Sequence, residues 1–306
     1  MLRVVKLSLV LNVITLLTKS TAYAYTFAGV ALVEALHSLG DLLNSLLLYL
    51  GVKLSKRDSS IKYPFGYGRS IYVFSFLSAS IVLGFLVAVG FMEGLIKLMN
   101  PKEIMNPYMG LYLLLISLIL DLIVLVDSYL SELRVKRQGV IEGHPALKGL
   151  IVENLIDVLS SGTGIVAFTL SVNNPVIDGY GSIALSVILL IGAYHLAHEN
   201  FEFLIGRSAP KEVVGKAIKI VLGNPAVVDV NDVKSLVIEP GKYLLIMQVE
   251  VLPTLTFDDV AQVKNELIKD LRELIPSIKY VLLDMVKPEE PPKTYRKILS
   301  ELIRLT

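Results

Sequence analysis

The sequence predicts an α-helical membrane protein, with six transmembrane helices followed by a C-terminal cytoplasmic α+β domain of order αββαβ. Three observations carry this expectation. The 306 residues are 54% apolar and only 19% charged, against roughly 25% charged in an average globular chain, and the mean hydropathy is +0.64. The missing charge is localised, because residues 1–206 hold 28 charged side chains and residues 207–306 hold 29. The charged third then switches between helical and strand periods within the length of one small domain. The expected division is a membrane domain over 1–206, the cytoplasmic domain over 207–288, and a linker with a short amphipathic helix over 289–306.

The same arithmetic excludes a single soluble domain. Absence of cysteine also excludes a disulfide scaffold, a thiolate zinc site and a cysteine nucleophile. A net charge of +1 with no long basic run argues against nucleic acid as a partner.

Taken in order, apolar stretches long enough to span a bilayer fall at roughly 5–24, 28–52, 71–98, 109–131, 148–171 and 175–197. Between the second and third lie Lys53, Lys56, Arg57, Lys62 and Arg69 against the single acid Asp58. Between the fourth and fifth lie Arg134, Lys136, Arg137 and Lys148, whereas the alternate loops hold only Lys97 and Lys102 or no base. This asymmetry places the basic loops, and with six spans both termini, in the cytoplasm. A signal peptide competes for the first stretch, since Ala22-Tyr23-Ala24 resembles a cleavage site. Cleavage would leave five spans and strand either the basic loops or the charged tail on the wrong side, so a retained helix is the better reading.

In the tail, 210–223 has helical period. The runs VKSLVIEP and KYLLIMQVEVLP flank Pro240-Gly241 as a hairpin. Thr256 followed by Phe-Asp-Asp reads as a cap opening a second helix, and KYVLLDMV is a third strand. That order suits a small sandwich with helices on one face of a sheet. Residues 294–306 gather Ile298, Leu299, Leu302 and Ile303 on one helical side, a docking or dimer element.

A charge at the bilayer centre costs at least about 2.5 to 3.5 kcal/mol on insertion scales, so each carboxylate there needs a reason. In the second span His37 and Asp41 are four apart and share a helical face, with Glu34 and Asn44 on roughly the same stripe. In the fifth, Glu153 and Asp157 repeat that spacing. Two such pairs can converge in a bundle. One imidazole nitrogen and three carboxylate oxygens make a four-ligand set for a divalent first-row metal, with Glu34, Asn44 and Asp121 as accessory candidates. The competing reading is purely structural, with His37 paired to Asp157 to hold the helices together.

Other polar groups carry less. Asp121, in the fourth span, lines an ion path or faces water, and Asp127 faces water. Lys6 and Lys19 are expected to snorkel, and Glu93 with Lys97 to form an i, i+4 ion pair. His195 and His198 beside Glu199 and Glu202 read as a solvated interfacial face ahead of a metal cluster, and His144 as a solvated turn. PFGYGR lacks the signature of a phosphate loop.

These residues resemble the cation diffusion facilitator family of divalent-metal transporters over nearly the whole chain. The resemblance is carried by LVLNVITLLTKS, VEALHSLGDLLNSLLLYLG, YPFGYGRS, FMEGLIKLMNP and FLIGRSAP. It is strongest for the branch with HSxxD and a downstream Asn in the second helix and acids in the fifth. It implies that His37, Asp41, Glu153 and Asp157 form the transport site. It further implies six helices in a cell membrane, a ferredoxin-like αββαβ domain that dimerises, and export of metal from the cytoplasm in exchange for protons. No resident cofactor is implied, the metal being cargo. Tyr63 and Tyr67 stand where many members have histidine. The cytoplasmic domain has no histidine and offers only acids such as Asp232 and Asp284.

The expected function is therefore a homodimeric metal:proton antiporter. Metal needs deprotonated ligands, so binding and proton occupancy exclude each other. Zinc leads as cargo, and Glu153 makes the set richer in oxygen, which moves the balance towards manganese, iron or cobalt. The alternatives are a transport-inactive scaffold or metal sensor, and an intramembrane metallohydrolase using Glu153 as base, which lacks HExxH.

Overall fold

The computed structural model describes residues 2–137 and 145–288. His144 and the C-terminal amphipathic helix lie outside the described residues. The chain divides into two compact units, one of Met1–Gly51 with Phe74–Asn200 and one of Val52–Val73 with Phe201–Thr306.

The first unit is helical. Its helices are α1 (Leu2–Thr26), α2 (Gly29–Ser55), α3 (Ser70–Met99), α4 (Pro107–Arg137), α5 (Pro145–Asn173) and α6 (Val176–Ile205), with the ends of α2 and α6 and the start of α3 lying beyond its bounds. Among the described residues, α2 to α6 give five helices long and apolar enough to cross a membrane, which makes this a multi-pass membrane protein. Prolines open α4 and α5, where a missing N–H costs nothing. Past its apolar stretch α4 continues to Arg137 because Glu, Leu, Arg and Lys are good helix formers. Phe27, at φ 50°, ends α1 in a left-handed residue whose N–H donates to the Tyr23 carbonyl.

Small residues let these helices approach closely. A Cβ on Gly181 of α6 would stand 2.7 Å from Ala167 of α5 and 2.8 Å from Val30 of α2, so three helices meet there. Their shared core contains Ala22, Val30, Val33, Leu114, Phe168 and Leu185. Buried Ser182 and Ser186 donate to carbonyls one turn back, which satisfies their hydroxyls within α6. Within α3 a π-helical stretch, Val82–Leu86, interrupts the α ladder. Hydrophobic period does not foretell it. It packs Val82 against Gly40 of α2, where an added Cβ would lie 3.2 Å away.

In the second unit the elements are α7 (Lys211–Leu222), β1 (Val227–Glu239), β2 (Lys242–Val251), α8 (Phe257–Leu274) and β3 (Ile278–Val286). The sheet order is β1-β2-β3. Strands β1 and β2 are antiparallel and turn at Pro240-Gly241, with Gly241 at φ +72°. Strand β3 returns parallel to β2 after the α8 crossover. The αββαβ order matches the sequence expectation. β1 begins at Val227, well before the run 233–240, because register shifts at Val227/Asp229 and Val230/Asp232 break the period-two pattern there. Both helices join the sheet in one core of Ile218, Val221, Leu245, Met247, Leu267 and Leu271.

The expected cap is present. Thr256 Oγ1 accepts from the Asp259 N–H at 3.3 Å, and the Asp259 carboxylate accepts from the Thr256 hydroxyl and backbone N–H at 2.6 and 2.9 Å. The hydroxyl and then the backbone bond hold the Asp259 carboxyl below its usual range. Removing the cap in Thr256→Ala is expected to cost about 1 kcal/mol at neutral pH. Because the folded carboxyl is depressed, its stabilising effect is present above the unfolded value and fades as pH falls through the folded one. Thermal unfolding of parent and variant across an acid series checks both statements, with the gap between them narrowing in acid.

The PFGYGR loop packs onto this sheet. Phe65 meets Tyr280 edge-on at 5.5 Å, and the Arg69 guanidinium donates to the Val237 carbonyl at 3.2 Å. A Cβ on Gly68 would collide with Cβ of Glu239. That glycine serves close backbone approach to β1, a role unlike a phosphate cradle.

Candidate metal centre

His37 and Asp41 project from one face of α2, one turn apart, and Asp157 faces them from α5. One ligand atom from each lies within 4.8 Å of the other two. His37 Nε2 is 3.4 Å from Asp157 Oδ1 and 3.9 Å from Asp41 Oδ1. The imidazole is buried and the two carboxylates are half-buried. They line a cavity of about 410 Å³ together with Asn44 of α2 and with His195 and Glu199 of α6. Ser78, Ala79 and Val82 of α3 close another wall, so the π-helical stretch borders the site. Glu153 is on α5 one turn before Asp157, and its side chain lies outside the described residues.

The accessory candidates separate. Asn44 borders the cavity, whereas Glu34 and Asp121 gather around Lys19 of α1. The Lys19 ammonium is 2.7 Å from Glu34 Oε2 and 3.5 Å from Asp121 Oδ2, and it donates to Ser161 Oγ at 2.9 Å. Ser161 in turn faces Asp121 at 2.7 Å and Glu34 at 3.1 Å. The snorkelling expected of Lys19 is thus overturned, since the residue is 2% exposed and Glu34 is 1% exposed. Three helices contribute opposite charges to one point, and local pairing there replaces the water that a snorkelling ammonium would seek. Asp121 likewise does not face water.

Ser160 connects this cluster to the triad. Its Oγ is 3.0 Å from His37 Nδ1 and donates to Glu34 Oε1 at 3.0 Å. Ser160 and Ser161 were not among the residues expected at the site. Their signal was spacing, three and four residues beyond Asp157 on the same helical face.

Asp178 was missed as well. It is 1% exposed, and its carboxylate accepts from the N–H groups of Gly29 and Val30 at 2.7 and 3.0 Å, capping α2 from α6. The expected Glu93 and Lys97 pair is formed at 3.8 Å, and Lys97 also lies 3.9 Å from Asp178 and donates to the Phe27 carbonyl. His198 tilts against the Tyr194 ring.

The apolar helices thus bring an imidazole and two carboxylates together inside one cavity. The chain belongs to the cation efflux family, whose transmembrane domain it matches over residues 5–205. It is 28% identical over 246 residues to the proton-coupled zinc antiporter SLC30A9, mitochondrial, of Xenopus laevis, covering 76% of this chain and 44% of that protein. It is 26% identical to metal tolerance protein C4 of Arabidopsis thaliana, over 70% of this chain and 49% of that one. The cation-efflux pump FieF of Yersinia enterocolitica is 23% identical over 77% of this chain and 76% of its own length. The chain spans less than half the length of the SLC30A9 and C4 relatives.

Proposed function

We propose that this chain is a divalent-metal exporter that exchanges metal for protons by alternating access, with His37, Asp41 and Asp157 as three ligands of the transported ion and Glu153 as the fourth. The observation that carries the reading is the meeting of ligand atoms from α2 and α5 inside one cavity. Metal–ligand bonds of about 2.0 to 2.2 Å in a tetrahedron put ligand atoms about 3.3 to 3.6 Å apart. His37 Nε2 and Asp157 Oδ1, at 3.4 Å, already meet that spacing. Family membership supports metal cation transport as the activity of the whole.

The ligands must shed protons to take metal and regain them when it leaves. That exclusion couples the two flows without a separate device. Half-burial of both carboxylates gives hydrated cargo a route to the buried imidazole. In this reading α1 is the sixth span, and the basic loop at 53–69 lies in the cytoplasm with both termini. The αββαβ unit is ferredoxin-like and pairs two copies of the chain. Zinc is the leading cargo.

Metal analysis of the purified protein after exposure to zinc, manganese, iron and cobalt tests the assignment. One ion per chain is expected, zinc retained most strongly, with retention lost in His37→Ala and reduced in Glu153→Ala. Equal retention by parent and His37→Ala would remove the assignment.

A further inference from the structure

We infer that Ser160 and Glu34, neither of them a ligand, are positioning residues that fix the imidazole of His37 and select the nitrogen it offers to the metal. The inference rests on the metal-transport reading above and follows from counting donors. Glu34 sits 2.7 Å from the ammonium of Lys19, and as its carboxylate partner it accepts hydrogen bonds and donates none. The 3.0 Å bond between Ser160 Oγ and Glu34 Oε1 therefore uses the one proton of the Ser160 hydroxyl. Ser160 has only lone pairs left for His37, so the 3.0 Å contact with Nδ1 requires a proton on that nitrogen.

Neutral imidazole protonated at Nδ1 carries its lone pair on Nε2. Nε2 is the atom that faces Asp157 at 3.4 Å and Asp41 at 3.9 Å. The chain of choice thus starts at Lys19 on α1, passes through Glu34 on α2 and Ser160 on α5, and ends at the metal-facing nitrogen of α2. Packing holds its links in place. Ser160 and Glu34 are buried, and Gly164, one turn beyond Ser160, lets Glu34 lie against α5, where an added Cβ would stand 3.0 Å from Oε1. Outer partners of this kind fix tautomer and ring orientation in metal-binding histidines. The lysine gives Glu34 a fixed charge and so gives Ser160 a fixed direction.

The test uses the full chain purified in detergent, titrated with zinc against a chromophoric chelator, with nitrogen NMR of labelled histidines in the zinc-loaded state. Ser160→Ala is expected to weaken zinc binding about 10- to 100-fold, the usual cost of losing such a partner. Its His37 spectrum should lose the single Nδ1-protonated, Nε2-bound form. Ser160→Thr keeps the hydroxyl and should restore both affinity and spectrum, which a purely structural role for the serine would not require. Asp157→Asn separates the positioning role from the metal site itself. If the parent binds zinc, Asp157→Asn does not, and Ser160→Ala matches the parent in affinity and spectrum, the positioning role is wrong while the metal site stands. If parent and Asp157→Asn bind alike, or neither binds, the metal reading falls and this inference with it.

Discussion

Zinc uptake by proteoliposomes is expected to fall to the level of protein-free vesicles when Asp157 is replaced by Ala, and Asp41→Ala should do the same. Each carboxylate offers one of three atoms, within 4.8 Å of one another, that the proposed site would use as ligands. Losing a ligand itself should weaken binding beyond the roughly 100-fold that losing an outer partner costs. Asp157 matters twice over, because it is also the closest described carboxylate to His37 Nε2, at 3.4 Å. Uptake measured with an entrapped zinc-sensitive dye, at equal protein incorporation, decides the point. Parent-like uptake by both variants would dissolve the proposed site.

Lys19→Met should strongly destabilise the first unit. It removes the cation from between Glu34 and Asp121, 2.7 and 3.5 Å away, and leaves two carboxylates among helices without the ammonium that pairs them. Breaking a buried pair by deleting one partner costs about 3 to 5 kcal/mol, whereas replacing the whole set with apolar groups can be nearly neutral. The double variant Lys19→Met with Glu34→Gln should therefore recover part of the loss. Thermal unfolding of the four proteins of that cycle in detergent measures the coupling. A Lys19→Met protein as stable as the parent would mean that Lys19 is not the cation holding these acids.

How much of this was legible beforehand follows from what periodicity can report. The long apolar runs of α2 to α6 and the strand and helix periods of the tail announce themselves, because burial imposes them over many residues. The pair His37 and Asp41 and the acid Asp157 were also visible, since a helix stacks residues four apart. That Lys19, Glu34 and Asp121 meet was not visible, because pairing between helices leaves no mark along any one of them. Their meaning is set by partners 15 to 142 positions away in sequence, Ser161 being the most distant from Lys19. The same blindness hid Asp178, which caps α2 from a position 149 residues after Gly29. The π-helical stretch in α3 has no proline or charge to mark it, and the bulges of β1 erased the alternation that would have extended that strand.

In the antiport reading, one site carries metal and protons in opposite directions. Its most direct test is a paired measurement on reconstituted parent protein, with zinc and internal pH followed in the same vesicles and no other ion gradient imposed. The expected result is zinc entry accompanied by proton exit, each signal abolished by Asp157→Ala. Zinc entry with no change in internal pH, or a proton signal that persists in Asp157→Ala, would contradict it.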